Sequence, residues 1–352
     1  MNDSTLNAAL ASLLGQPVVS MTRIGRGRNS KVVRVGCADG GSYAAKIYCG
    51  LRADGLSRLA VEFESLELLW NHGFRCIPRP LASDAEKQIA VYEYVDGDLI
   101  DEGTIGEDEI DELLAFLGRL RDLARTIDYN RVPAAHEACF SAAAVVENIE
   151  RKLADLTALA DGSLSQEALQ AFLGNEFAPV LRDCAAMARA SAGEEAFAAE
   201  LSMESRTLSP ADFGFHNALR RNATGLVFLD FEYFGWEEPV KMMCDFLLHP
   251  AVSLRQEIRR HFAWGFLDRF VDDHGLAARF RTVYPLYGLR WCMILLNEFL
   301  PKHLERRAHA SAQDNDPSQL HRMQLTKAKQ MLRRTIAERD CWPYAMSGLG
   351  VA

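Results

Sequence analysis

The chain reads as an α+β protein: a small antiparallel β-sheet lobe with one main helix, then a larger, mainly helical lobe. Three observations predict this. Short runs rich in β-branched and aromatic residues crowd the first ninety-odd positions, with one helical pattern among them. Beyond Asp96-Gly97 the pattern changes to long segments rich in alanine and leucine. The 352 residues, 49% of them hydrophobic, suffice for about two domains with a sizeable core. The expected boundary lies at that dipeptide, giving lobes of residues 1–96 and 97–352.

The elements follow in order. Asp3 or Ser4 caps a short amphipathic helix that Gly15 ends. Residues 18–24 and 32–35 are strand-like and flank the segment GRGRNSK. Asp39-Gly40-Gly41 is a hairpin signal, and residues 43–48 (YAAKIY) are the returning strand. Leu59, Phe63, Leu66 and Trp70, spaced four, three and four apart, mark one face of a helix over 57–72 that Gly73 stops. IPRPL and a loop lead to an apolar strand over 89–95. Helices are expected over 107–127, 140–159 and 166–199. A strand-like interlude covers 207–208, 213–219 and 226–231, before further helices over 254–271, 286–304 and 319–338. This order predicts a ligand site at the seam of two lobes.

Composition removes several classes. Thirty-nine basic against 48 acidic residues give a net charge of −9, which argues against binding nucleic acid or an anionic membrane. The eight cysteines are scattered without a CxxC pair, so reduced thiols are expected rather than a zinc site or a disulfide framework. No stretch reaches the roughly 18 apolar residues of a membrane span. The N-terminal segment lacks the basic region and apolar core of a secretory signal, so a cytoplasmic protein is expected.

Chemistry concentrates in three places. Gly25 and Gly27, with Ser30 closing the same loop, lie between two strands, where backbone N–H groups can approach phosphate oxygens. The loop lacks the GxxxxGK[ST] pattern, and no helix follows it, which excludes a P-loop and a dinucleotide fold. Lys46 stands among alanines in an apolar strand and needs an anion there. Glu62 and Glu67 flank the apolar stripe of the following helix on opposite sides, and periodicity does not choose between them. Asp212, Asn217 five residues on, and Asp230 at the end of an apolar run form the third group. A carboxylate there can accept a hydroxyl proton, and carboxylate and amide oxygens suit Mg²⁺.

In that order these motifs resemble the aminoglycoside phosphotransferase and choline-kinase-like family, small-molecule kinases with a protein-kinase-like bilobal fold. The resemblance runs over about residues 20–250 and includes the hinge strand Tyr92-Glu93-Tyr94-Val95-Asp96-Gly97. The family places leucines four and seven residues after its helix glutamate, as Leu66 and Leu69 stand to Glu62. It implies that Lys46, held by Glu62, grips the phosphates of ATP (or GTP) beneath the glycine loop. The backbone of Glu93 and Val95 is implied to hold the base, and Asn217 and Asp230 to hold Mg²⁺. Asp212 is implied as catalytic base, and Asp245 as the aspartate bracing its loop. Asp212-Phe213-Gly214 spells a kinase DFG, but motif order makes Asp230 the metal aspartate, with Glu232 replacing the glycine. Pro210 stands where the family has a histidine.

Gly214, where Ser/Thr kinases resemble one another in carrying lysine, and the mere 14 residues separating Asp230 from Asp245 argue against a protein kinase. The expected acceptor is a small hydroxylated metabolite: a sugar, an amino alcohol or an aminoglycoside-like molecule. The aromatic residues Phe231, Tyr233, Phe234 and Trp236 could stack a sugar or cage an ammonium, or simply pack in a core. The alternative function is a nucleotide-binding pseudokinase without turnover, which Pro210 and Glu232 favour.

Overall fold

The computed structural model describes residues 3–25, 30–159, 162–221, 225–302 and 316–345. It divides into two compact units. The first takes in Met1–Thr104 and regains Pro210–Gly235; the second contains Ile105–Ser209, Trp236–Glu305 and the C-terminal helix.

In the first unit, helix α1 (Asp3–Leu14) precedes strands β1 (Val18–Arg23), β2 (Ser30–Cys37) and β3 (Ser42–Tyr48). Helix α2 (Arg58–Asn71) follows, then β4 (Pro80–Asp84) and β5 (Ile89–Glu93). The five strands form one antiparallel sheet in the order β1-β2-β3-β5-β4, so β3 is central. Leu6, Ala9 and Leu10 of α1 close one face over Val33, Val35, Ala45, Ile89 and Val91. Ser57 caps α2, its hydroxyl accepting from the Ala60 N–H. Strand β4 falls in a stretch the sequence reads as loop. It is an edge strand that opens on Pro80, where a missing N–H costs no ladder bond.

The second unit is largely helical. It contains α3 (Glu107–Ala124), α4 (Ala142–Thr157), α5 (Leu164–Phe172), α6 (Ala178–Ala192), α7 (Glu194–Ala198) and the short strand β7 (Thr207–Ser209). The chain then supplies β8 (Ala218–Arg221) and β9 (Gly225–Phe228) to the first unit, where they pair with β6 (Asp98–Leu99). After β10 (Gly235–Glu237) come α8 (Pro239–Leu248), α9 (Gln256–Arg269), α10 (Leu276–Leu295) and α11 (Pro317–Asp340). The sequence pattern does not reveal α8 because all ten of its residues are buried, leaving no polar face to set a period. Helix α10 begins ten residues before the expected start and carries Pro285 inside it. Packing against α4, α6, α8 and α11 outweighs the local cost of that proline. No helix among the described residues is long and apolar enough to cross a membrane.

Gly288 of α10 lies against Thr335 of α11. A Cβ there would overlap the Thr335 hydroxyl and stand 2.9 Å from its Cγ2. Gly288→Ala is therefore expected to cost about 1–3 kcal/mol in urea denaturation. Adding Thr335→Ala should restore most of the loss, because the two sites are directly coupled; simple addition of two losses would refute the close contact.

Candidate active site

Lys46 pairs with Val32 on one side and Ala90 on the other, in the middle of the central strand. Alternation along β3 sends Ala45 into the core under α1 and turns Lys46 to the opposite face. Only 7% of the residue is exposed, so it is not an edge lysine reaching for water. Its Nζ lies 2.6 Å from Glu62 Oε2, 2.7 Å from Asp230 Oδ1 and 3.4 Å from Glu232 Oε2. Burial by itself would lower the Lys46 pKa. The three carboxylates outweigh it and hold the ammonium well above its ordinary value.

Each carboxylate is delivered by local structure. Glu62 lies on the buried side of α2, whereas Glu67 is exposed. The Tyr48 hydroxyl donates to Glu62 Oε2 at 2.8 Å and shares a 2.7 Å hydrogen bond with Tyr92, and the Phe231 N–H reaches Glu62 Oε1 at 3.3 Å. Asp230 follows β9 in the left-handed region at φ +65°, a conformation uncommon for a residue with a Cβ and one that marks functional turns. Glu232 is clasped by Arg58 at 2.9 Å, and both are 2% exposed. Oxygens of Glu62, Asp230 and Glu232 all lie within 4.8 Å of one another.

Among the described residues, three carboxylates thus meet the two cations Lys46 and Arg58, leaving an excess of negative charge. Desolvation pushes the Asp230 carboxyl up, Lys46 pulls it back, and Glu232 and Glu62 add to the push, leaving it at about 7. The Asp230 side chain keeps 38% of its surface open, so a cation can reach the group that most needs one.

Asp212 and Asn217 sit on the loop between β7 and β8. The Asp212 N–H donates to the Pro210 carbonyl at 2.9 Å, around Ala211 at φ +66°, a tight and strained turn. The Asn217 amide nitrogen donates to the Asp212 carbonyl at 2.9 Å, which directs its Oδ1 elsewhere. The Leu229 N–H donates to the Asn217 carbonyl at 2.8 Å, placing Asn217 beside the residue before Asp230. His216 Nε2 lies 3.0 Å from Asp212 Oδ1.

The remaining candidates are dispersed around this centre or lie elsewhere. A Cβ at Gly25 would come within 2.9 Å of Val32 Cβ, so the β1–β2 crossing itself requires glycine. Gly27 lies outside the described residues. Ser30 opens β2 opposite Tyr48 and is buried. The Glu93 N–H donates to the Arg79 carbonyl at 2.8 Å, and its carboxylate takes a 2.9 Å bond from Arg221. Val95 is buried two residues on. Asp245 belongs to the second unit, where Lys241 at 2.9 Å and Arg290 at 3.5 Å hold it on α8. Of the four aromatics, Phe231, Phe234 and Trp236 are at most 3% exposed and belong to the core, while Tyr233 is half-buried.

The sequence assigns no part to Arg58, Tyr48 or His216, and places Tyr92 only in the hinge strand. Arg58 left one signal: a cation in the first turn of a helix opposes its dipole, which points to an acidic partner.

The profile of the phosphotransferase enzyme family matches residues 20–279. A sequence search of curated proteins returned no match. Among solved structures, a gentamicin complex of APH(2'')-IIa is 16% identical, with a TM-score of 0.61 over 98% of this chain and 99% of that one. A Plasmodium vivax ethanolamine kinase is 14% identical, with a TM-score of 0.58 over 90% of this chain and 84% of the other. An amicoumacin kinase bound to AMP-PNP and Ca²⁺ is 15% identical, with a TM-score of 0.58 over 95% and 94%. At these identities the likeness shows the fold, which is kinase-like. The profile shows more: matched over well more than half its length, the chain belongs to the phosphotransferase enzyme family.

Proposed function

We propose that the protein transfers the γ-phosphoryl group of ATP, with Mg²⁺, to a hydroxyl of a small metabolite. The observation that carries this reading is the buried Lys46 bridging Glu62 and Asp230 at 2.6 and 2.7 Å. Lys46 is the group that would grip the phosphates, and Glu62 holds it in place. Asp230 and Asn217 supply the hard oxygen donors that Mg²⁺ prefers, and the excess negative charge at Asp230 fits a divalent cation. When bound, the ion neutralises charge on the phosphate oxygens.

In the proposed reaction, Asp212 accepts the acceptor's hydroxyl proton as the new O–P bond forms. The bond from the γ-phosphorus to the β-bridging oxygen breaks, and ADP leaves. Positioning and charge neutralisation supply most of the rate. Gly25, Gly27 and Ser30 would cover the phosphates, and the Glu93 carbonyl and Val95 N–H would meet the base. Sugars, amino alcohols and aminoglycoside-like molecules are the acceptor classes. The named ethanolamine kinase and the gentamicin complex among the structural neighbours support the last two.

The test is ATP consumption, with GTP in parallel, against a panel of these acceptors, with Mg²⁺ and with EDTA. Acceptor-dependent turnover that EDTA abolishes is expected. Thermal stabilisation by ATP without turnover across the panel would instead favour a pseudokinase. No stabilisation by either nucleotide would overturn the reading altogether.

A further inference from the structure

Two residues before Asp212 stands Pro210, which can neither donate from its backbone nor carry an imidazole. Three bonds within its own loop help to hold Asp212. Its N–H is tied to Pro210, its carbonyl to Asn217, and its carboxylate oxygen Oδ1 to His216 Nε2 at 3.0 Å. The first two bonds fix the backbone; of the three, only the His216 bond acts on the carboxylate itself. An ionised carboxylate only accepts, so Nε2 is the donor. The His216 side chain is 16% exposed and Asp212 38%, so a well-packed ring orients a carboxylate that remains accessible. The contact arises because the chain forms a single 3₁₀ turn over Phe215–Asn217, which returns His216 to Asp212 four residues later.

We infer that His216 is a positioning residue for the proposed base: it fixes the rotation of the Asp212 carboxylate toward the acceptor hydroxyl. This rests on the reading of Asp212 as base. Without the His216 bond the carboxylate loses one of the contacts that fix its rotation, and misplacement of about 1 Å can cost roughly 100-fold.

The experiment compares wild type, His216→Ala, His216→Gln, Asp212→Asn and the double variant His216→Ala/Asp212→Asn. Turnover is measured with Mg-ATP and the best acceptor of the panel, or with water as acceptor if none serves; ATP-induced thermal stabilisation is recorded alongside. His216→Ala should lower kcat about 10- to 100-fold, with KM for ATP and thermal stabilisation unchanged. His216→Gln, whose amide can donate from nearly the same place, should recover most of the loss. In the Asp212→Asn background His216→Ala should have little further effect, because its target is gone. Three outcomes overturn the inference: His216→Ala retaining wild-type kcat, glutamine failing to rescue, or the two losses multiplying in the double variant. If Asp212→Asn also retains turnover, or the wild type shows none, the assignment of the base has failed, and this inference with it.

Discussion

Replacing Asp212 by alanine should lower phosphoryl transfer by about 100- to 10,000-fold, roughly 3–5 kcal/mol of barrier, while ATP still stabilises the fold. The separation of the two effects follows from where the groups lie. Whereas Lys46 is bonded to Glu62 and Asp230, Asp212 sits on a turn of the β7–β8 loop, and its carboxylate is bonded to His216, four residues along the same loop. Its removal leaves the proposed phosphate grip and metal carboxylate intact. The acceptor then keeps its proton, and the attacking oxygen remains a poor nucleophile. Initial rates with Mg-ATP at saturating acceptor, together with thermal melts with and without ATP, measure both quantities. A variant that turns over at the wild-type rate would remove Asp212 from the chemistry, whatever its position. Loss of ATP-induced stabilisation would instead give it a structural role.

Much of the site is legible in the sequence because its signals are conflicts with local context. A lysine between alanines in an apolar strand has to find an anion, and the structure gives Lys46 three carboxylates on the face opposite Ala45. Periodicity could not separate Glu62 from Glu67, since both flank the stripe of α2; burial does. What stayed hidden lacks either a period or a spacing rule. Helix α8 is buried on every side, and β4 is disguised by the proline that its edge position tolerates. Helix α10 runs through Pro285 because its neighbours hold it. Glu232 looked like a simple departure from a glycine until its partner, 174 residues earlier at the start of α2, came into view. The strained turn at Ala211 and the His216 contact depend on dihedral angles rather than on residue type.

Lys46→Met is expected to abolish turnover and also to destabilise the first unit by about 3–5 kcal/mol near neutral pH. The substitution keeps most of the apolar stem but removes the cation shared by Glu62, Asp230 and Glu232. Arg58 then remains to compensate three carboxylates from the Glu232 side alone. Two of the three are nearly buried, so water cannot replace the ammonium. The pH dependence has a definite sign. Asp230 already binds its proton more tightly than an ordinary aspartate, at about 7 rather than 3.8, and without Lys46 the pull that restrained this is gone. A carboxyl whose folded pKa lies above its unfolded value favours the folded state less as pH rises from the lower value through the higher one. The deficit of Lys46→Met relative to wild type should therefore grow as pH rises through about 7, where Asp230 ionises in the wild type but resists ionising in the variant. Urea denaturation from about pH 6 to about pH 9 measures it. Adding Asp230→Asn should restore much of the stability at pH 8 without restoring turnover, because it removes a charge and not the need for a phosphate grip. A deficit independent of pH, or a double variant no more stable than Lys46→Met, would mean that packing rather than charge binds this cluster together.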